Sequence, residues 1–276
     1  MQPRIGFSLQ SSYDLPIRDV LPLLKQAGFS AVSPVWTGRT DLENITACAA
    51  RNGLILQSLH ATTKGIPHLW QPDATAVLDS VFRSIDACAQ FRIPILVIHG
   101  WQGVRYSFPD QPLYFKNFDR LVAYANRNGI SIAFENLEGE EYLAALLARY
   151  HGQGHVGFCW DSGHDHCYPH RTDFLQAYGD RLIMTHLNDN CGIRDLAGIP
   201  TTLDDLHYLP GDGNLDWTHT ICRLQQARRQ EILNFEIKTR TRAEADCLYD
   251  RLSLKKFIQK AGLCARQIAE RYKTAP

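Results

Sequence analysis

The 276-residue sequence has no apolar run long enough to span a bilayer, and its first ten residues lack the long apolar core of a secretory signal peptide. We therefore expect a cytoplasmic protein with no membrane partner. The sequence also lacks an excess of charge of either sign, because 29 Lys and Arg residues balance 29 Asp and Glu residues. A neutral chain is poorly suited to binding along a phosphate backbone, so a nucleic-acid partner is not expected.

Several familiar motifs are also missing. None of the eight cysteines forms a CxxC pair, so we expect reduced thiols rather than a disulfide framework. The turn after the first predicted strand has neither a GxGxxG motif nor a P-loop motif, which disfavours a nucleotide-binding open sheet. No Pro/Gly/Ser-rich linker, low-complexity tract or charge run divides the chain, and we expect a single domain over residues 1–276.

The dominant pattern is an alternation of short β-branched runs with longer stretches of helical period. Eight predicted strands and eight predicted helices are the count of a single (β/α)8 TIM barrel, an α/β fold, whereas a doubly wound sheet usually has fewer units. The predicted strands are Ile5–Leu9, Ala31–Val35, Leu54–His60, Ile95–His99, Ile130–Glu135, Val156–Asp161, Leu182–Leu187 and Ile232–Ile237. The predicted helices are Pro16–Ala27, Leu42–Arg51, Asp73–Gln90 with Asp73 as N-cap, Pro112–Asn128, Glu140–Tyr150, Thr172–Tyr178, Leu215–Arg228 capped by Asn214 or Asp216, and Arg242–Tyr272 with a break near Gly262.

Charged side chains and imidazoles gather where the predicted strands end. In a barrel of this type, the chemistry lies at the carboxyl ends of the strands. Six consecutive strands finish in a His, Asp or Glu: His60, His99, Glu135, Asp161 followed by His164, His186, and Glu236. Burying several carboxylates together is costly unless a cation neutralises them, so we expect a divalent metal at this mouth of the barrel. Mixed nitrogen and oxygen ligands suit manganese, cobalt, zinc or iron, and magnesium fits less well because it prefers oxygen.

The loops add further candidates. Asp205 and His207 are two residues apart, so their side chains can face the same way and contact the metal or the substrate. The turn Pro210–Gly213 is typical of a solvated loop. Trp36 and Trp101 lie near βα loops, where aromatic rims suit sugar faces. The loop after the last strand carries Lys238, Arg240 and Arg242, which could bind an anion or simply be solvated.

These residues occur within motifs that resemble a known superfamily. The segments Glu135, Trp160–His164, His186–Asn190, Leu209–Trp217 and Glu236 resemble the xylose-isomerase-like TIM barrels, and more narrowly the sugar phosphate isomerase/epimerase branch. The resemblance to ketose 3-epimerases implies that one metal is held by Glu135, Asp161, His186 and Glu236. It also implies a substrate contact from His164, matches Glu141 with a second acidic residue of those enzymes, and sets Arg194 near their conserved arginine, although in a longer loop.

The function expected from this resemblance is isomerisation or epimerisation of a small sugar-like carbonyl compound through an enediolate. Glu135 and Glu236 are the expected acid/base pair, with His164 holding a substrate oxygen. A metal-dependent dehydratase using the same chemistry is an alternative. The sequence identifies neither the sugar, nor any phosphate on it, nor the metal, and it is compatible with a homo-oligomer.

A second alternative comes from bacterial endonuclease IV, which acts at abasic DNA with several zinc ions. Its ligand pattern is matched in residue type at His60, His99, Glu135, Asp161, His164, His186, Asp205, His207 and Glu236. The continuation Asn136–Gly139 differs from that of the nuclease, and the neutral charge also counts against DNA binding. A non-enzymatic sugar-binding barrel is a third hypothesis, but the acidic cluster exceeds what a binding protein needs.

Overall fold

The computed structural model describes residues 2–10, 13–239 and 248–274. Strands and helices alternate along these residues, as the apolar pattern predicts. The strands are β1 (Arg4–Ser8), β2 (Ala31–Ser33), β3 (Ile55–Leu56), β4 (Ser58–His60), β5 (Ile95–His99), β6 (Ser131–Glu135), β7 (Val156–Asp161), β8 (Leu182–His186) and β9 (Ile232–Phe235). The helices are α1 (Ile17–Gln26), α2 (Leu42–Arg51), α3 (Thr75–Phe91), α4 (Lys116–Arg127), α5 (Glu140–Arg149), α6 (Ser162–Cys167), α7 (Phe174–Tyr178), α8 (Trp217–Gln226) and α9 (Leu254–Thr274), with 3-10 turns at Ile66–Trp70 and Gly179–Arg181.

The strands pair in parallel and close on themselves. Their order is β3-β2-β1-β9 in one sheet and β4-β5-β6-β7-β8 in the other. Single bridges join the two sheets at both seams, Val35 with His60 and Leu187 with Phe235. The barrel has eight strand positions around its wall, which we call staves. The predicted third strand occupies one stave in two parts, because β3 pairs with β2 and β4 pairs with β5. The result is the predicted α/β (β/α)8 TIM barrel.

The interior of the barrel is layered, and its upper layer carries the polar residues. Val97, Ala133, Cys159 and Met184 form a buried apolar cluster contributed by β5 to β8. Side chains two residues apart on a strand point to the same face. The residues two positions further on are therefore stacked above this layer, and they are His99, Glu135, Asp161 and His186. The alternation that builds the core thus also delivers polar groups to the mouth of the barrel.

Some element boundaries differ from the sequence prediction. Asp73 is not an N-cap, because α3 begins at Thr75 and its N-cap position, Ala74, has no side-chain bond. Helix α4 begins at Lys116 rather than at Pro112. In its first turn, the Asn117 amide donates to the carbonyls of Leu69 and Gln71 at 3.0 and 2.7 Å, which holds the start of the helix against the segment that follows β4.

Three further predictions concern the second half of the chain. Asp216 caps α8, one of the two predicted caps. The predicted break near Gly262 is wrong, since α9 runs through it. The predicted final helix begins too early: residues 242–247 lie outside the described residues, residues 248–253 are not helical, and α9 begins at Leu254. The six-residue helix α6 was not predicted.

The expectations about thiols and membranes can also be compared with the structure. The described cysteines form no disulfide with one another, and Cys247 lies outside the described residues. In the described part of the chain, every helix is too short or too polar to cross a membrane.

Candidate metal centre

The polar residues of the barrel mouth come from the ends of adjacent staves. His60, His99, Glu135, Asp161 and His186 are the last residues of β4, β5, β6, β7 and β8, and Glu236 follows β9. Parallel strands place their carboxyl ends on the same side of the sheet, so these six side chains converge. None is more than 9% exposed. The structure therefore brings together all the residues that the strand ends predicted.

Glu135 lies at the centre of this group. Its Oε2 atom is 3.2 Å from Nε2 of both His60 and His99, and its Oε1 atom is 2.8 Å from Nδ1 of His186. Burial alone would raise the pKa of Glu135, but the charge of His186 and hydrogen bonds from all three imidazoles hold that pKa well below its usual range. Glu135 is therefore an ionised carboxylate surrounded by imidazoles.

His186 lies between two carboxylates. Its Nδ1 atom is 2.8 Å from Glu135 and 2.9 Å from Oε2 of Glu236. Burial alone would lower the pKa of His186, whereas the surrounding negative groups raise it well above its usual value. In the absence of a metal, a proton on this imidazole neutralises part of the carboxylate charge.

The donor set of this group fits a divalent metal. One potential ligand atom from each of Glu135, Asp161, His186 and Glu236 lies within 4.8 Å of all the others. Three carboxylates and one imidazole form a mixed oxygen and nitrogen set of the kind that first-row divalent metals accept. A bound cation would replace the proton of His186 as the compensating charge. These residues could therefore hold one metal ion.

Hydrogen bonds from neighbouring amides orient Asp161. The Asn188 amide donates to both carboxylate oxygens of Asp161, at 3.0 and 2.9 Å, and the His164 backbone N–H donates to Oδ1 at 2.7 Å. Gly163 has to be a glycine, because a Cβ atom there would collide with the Asn188 side chain. Asp161 is thus fixed both as the N-cap of α6 and as a candidate ligand.

A second group of candidate ligands lies beside the first. His164, Asp205 and His207 also offer atoms within 4.8 Å of one another. Asp205 is 2.9 Å from His207 and 3.5 Å from His164, so the pair predicted to face the same way does so. His207 adopts a left-handed φ of 50°, and its Nδ1 donates to the Glu236 carbonyl at 2.9 Å. Burial lowers the pKa of His164, but the charges of Asp161 and Asp205 outweigh it and raise the pKa to about 10.

A cavity of about 310 Å³ opens above both groups. This volume suits a small molecule. Residues that line it include candidates from the sequence, namely His60, His99, His164, Asp205, His207, Glu236 and Lys238, and residues that sequence reasoning missed, namely Ser8, Gln10, Thr63, Gln102, Glu138, Tyr168 and Thr202. The missed residues lie mostly in loops that follow the strands. Glu138 could have been predicted from its position, because it comes three residues after the end of β6.

Comparison with known proteins identifies the family of this chain. The sequence profile described as xylose isomerase-like TIM barrel matches residues 21–256. The chain belongs to this family. An uncharacterized protein of Sinorhizobium fredii, y4fM, is 29% identical over 268 residues, which cover 81% of this chain and 82% of that one.

Several solved structures have the same fold as this chain. A xylose isomerase-like TIM barrel/4-hydroxyphenylpyruvate dioxygenase fusion protein has a TM-score of 0.71 at 16% identity over 96% of this chain, which spans 42% of that protein. An L-ribulose 3-epimerase has a TM-score of 0.70 at 13% identity, with 99% of this chain and 100% of that chain covered. An AP endonuclease, family 2, from Brucella melitensis has a TM-score of 0.59 at 14% identity, with 85% and 93% covered.

Not every residue predicted to contact the substrate reaches the cavity. Trp36 and Trp101 are not among the described residues that line it, and Trp101 instead stacks on Tyr142 with ring centroids 4.3 Å apart. Arg194 binds within its own loop, with its guanidinium 3.4 Å from Asp204 and 2.8 Å from the Leu203 carbonyl. These three residues are therefore not carried forward as substrate contacts.

The remaining predictions concern charged residues near the rim. Lys238 does line the cavity and lies 3.6 Å from Glu236. Arg240 and Arg242 lie outside the described residues. Glu141 matches an acidic residue of the epimerases by position. It accepts a hydrogen bond from the Tyr106 hydroxyl at 2.6 Å and is not among the residues that line the cavity.

Proposed function

We propose that this member of the family is a divalent-metal-dependent isomerase or epimerase of a small polyhydroxy carbonyl compound. The observation that carries the proposal is the pair of carboxylates, Glu135 and Glu236, which share the imidazole of His186 below a cavity of about 310 Å³. Moving a proton at a carbon atom requires a general acid and a general base beside a metal that acidifies the C–H bond, and this group of residues can provide them. Neighbours whose names include 3-epimerases support the same reading.

Each residue has a defined part in the proposed reaction. The metal, held by Glu135, Asp161, His186 and Glu236, would supply a Lewis acid that makes the proton next to the carbonyl more acidic. Glu236 reaches the cavity and takes that proton, which leaves the substrate as an enediolate. Glu135, which lies deeper in the barrel, returns a proton from the other side. His164 lines the cavity and holds a substrate oxygen.

The test is the entry of solvent deuterium into the substrate. Manganese-loaded protein is incubated in D2O with a panel of free ketoses and followed by NMR, and we expect deuterium at a carbon next to the carbonyl. Glu236→Gln should slow exchange by about 10²- to 10⁴-fold, because the base is lost. Glu231→Gln is the matched control, since Glu231 precedes the same strand at the opposite mouth of the barrel and pairs only loosely with Arg4 at 3.5 Å.

The outcomes of this experiment are distinct. Full exchange by Glu236→Gln would exclude Glu236 as the base, and no exchange by the wild-type protein on any ketose would exclude the proposed reaction class. Loss of water from the substrate with the same deuterium pattern would indicate the dehydratase alternative.

One observation favours a second candidate function, phosphodiester hydrolysis by several metals. The group His164, Asp205 and His207 is separate from the first group and is itself able to hold a metal, and His60 adds a further candidate ligand beside Glu135. A fold shared with an AP endonuclease is compatible with this function. The two functions differ in the number of metal ions per chain, one against three.

A further inference from the structure

Glu138 is a buried carboxylate that the proposed proton transfer does not use. It lies in the loop between β6 and α5, is 7% exposed and lines the cavity. One of its oxygens accepts a hydrogen bond from the Gly103 backbone N–H at 3.3 Å. Glu138 belongs to none of the groups with metal-ligand geometry among the described residues. Its other oxygen, Oε1, accepts no hydrogen bond from another described residue and can bind a molecule in the cavity.

The residue that follows Glu138 fixes the turn of the backbone there. Gly139 has a φ of 75°, in the left-handed region, and a Cβ atom there would lie 2.9 Å from the side chain of Trp101. Trp101 is itself held against Tyr142 of α5, with ring planes 6° apart. The chain therefore turns sharply after Glu138, and the packing of Trp101 fixes the backbone from which the carboxylate projects.

Glu138 has no cation of its own. The cationic imidazole that acts on it, His164, lies 3.5 Å from Asp205 and is shared with that carboxylate. Among the described residues Glu138 forms no salt bridge, and the one lysine on the cavity wall, Lys238, lies beside Glu236 at 3.6 Å. Asp205 and Glu236 add further carboxylates to the same wall. Burial, together with the charge of Asp205, raises the pKa of Glu138 despite the Gly103 N–H and His164, which act in the opposite direction. This part of the cavity is unfavourable for an anion.

An unpaired donor lies on the other side of the barrel. Gln10 follows β1, the first of eight staves, and β6 is the fifth, so Gln10 and Glu138 lie on opposite walls. The Gln10 side-chain amide nitrogen is buried and has no hydrogen-bond partner within the described residues, while its oxygen accepts from Thr239 at 3.1 Å. A buried unpaired donor costs free energy unless a ligand satisfies it.

We propose that Glu138 is a substrate-binding residue that, together with Gln10 on the opposite wall, selects an uncharged polyhydroxy ketone over its phosphate ester. A hydroxyl at one end of the substrate binds Glu138, and an oxygen at the other end accepts from Gln10. A phosphate at the Glu138 end would meet more carboxylates than cations, since His164 and Lys238 already lie beside Asp205 and Glu236. This inference rests on the proposed function, because it takes the cavity as the substrate site.

Calorimetric titration of the manganese-loaded full chain tests the inference. The probes are L-ribulose, D-psicose, D-fructose and D-fructose 6-phosphate. We expect the wild-type protein to bind at least one free ketose, and to bind D-fructose 6-phosphate at least about tenfold more weakly than D-fructose. Glu138→Ala should weaken ketose binding by about 10- to 100-fold. Glu138→Gln keeps the shape and removes the charge, so it should lose less ketose affinity and discriminate less against the phosphate.

Glu141→Gln separates this inference from the position that the epimerases suggest. Glu141 bonds Tyr106 away from the cavity, so this variant should bind ketoses as the wild-type protein does. Metal content and melting temperature, measured for every variant, show whether the fold is intact, and Glu138→Gln serves as the variant of unchanged shape if Glu138→Ala does not fold.

Three outcomes would overturn the inference: unchanged ketose affinity in both Glu138 variants, a wild-type preference for the phosphate ester, or no binding of any free ketose. Ketose binding that depends on Glu138 without deuterium exchange would overturn the proposed function alone.

Discussion

At the scale of single residues, Asp189 shows how one buried carboxylate holds a functional loop. It is fully buried after β8 and accepts from four donors: the backbone N–H groups of Asn190, Gly211 and Leu215, and the indole of Trp217. The segment that contains Pro210–Gly213 is therefore bound to the barrel rather than merely solvated, in contrast to the reading favoured by the sequence. The same loop carries Asp205 and His207 to the cavity.

We predict that Asp189→Asn lowers the free energy of unfolding by about 2–4 kcal/mol, because an amide NH2 would face donors that now bind a carboxylate oxygen. Urea unfolding followed by circular dichroism measures this change. Asp195→Asn is the control, since Asp195 also accepts backbone N–H groups, from Ala197 and Ile199, but in an exposed loop. Its effect should stay within about 0.5 kcal/mol. Equal effects of both variants would contradict the role given to Asp189.

At the scale of elements, the packing of α9 against α1 explains why a glycine lies within a helix. Gly262 is in the middle of α9, where glycine normally lowers helix stability by about 1 kcal/mol relative to alanine. A Cβ atom at this position would collide with the carbonyl oxygen of Ala27 and lie 2.9 Å from the Ala27 Cβ. Arg266, one turn further on, donates to the same carbonyl. Close contact, rather than a helix break, accounts for Gly262.

Gly262→Ala therefore should destabilise the protein by about 1–3 kcal/mol, although alanine is the better helix former, because overpacking outweighs propensity. Gly154→Ala provides the comparison, since a Cβ atom there meets nothing within 4 Å. That variant should lie within about 0.5 kcal/mol of the wild-type protein. Thermal unfolding of both proteins gives the difference, and a stabilised Gly262→Ala would show that the helix can move away from Ala27.

At the scale of the whole molecule, the barrel concentrates charge at one mouth. Six strand ends and the loop after β8 bring carboxylates and imidazoles from distant parts of the sequence within one buried region. Without a metal, protons on His164 and His186 offset part of the carboxylate charge, and the raised pKa values of these two imidazoles express this. Metal binding and proton release are therefore coupled.

We predict one tightly bound metal per chain, measured by elemental analysis after dialysis against manganese. Because the pKa of His186 is raised, its proton has to leave before the imidazole can bind a metal, so metal affinity should fall as pH falls, by about tenfold per pH unit for each proton displaced. Removing the metal with a chelator should lower the melting temperature.

His186→Ala should abolish tight metal binding, whereas His219→Ala, at an exposed position of α8, should leave it unchanged. Three zinc ions per chain together with cleavage of abasic duplex DNA would instead support the phosphodiesterase function.

The residues at strand ends were predictable, whereas those in the loops were only partly so. Glu135, Asp161 and His186 follow apolar strands by simple alternation, and alternation is a local property of the sequence. Trp101 and Glu138 lie after neighbouring staves, and both are candidates by position. Only the tertiary structure separates them, because Glu138 lines the cavity whereas Trp101 stacks on Tyr142.

The sequence by itself determined the order of strands and helices, the parallel barrel and the charged side chains at the strand ends. Two-residue periodicity is local, and strands joined by helices have to run parallel. The tertiary structure decided which polar groups are already bound by partners and which face the cavity. That distinction depends on contacts between loops far apart in the chain, such as the one between Trp101 and Gly139, and no local pattern encodes those contacts.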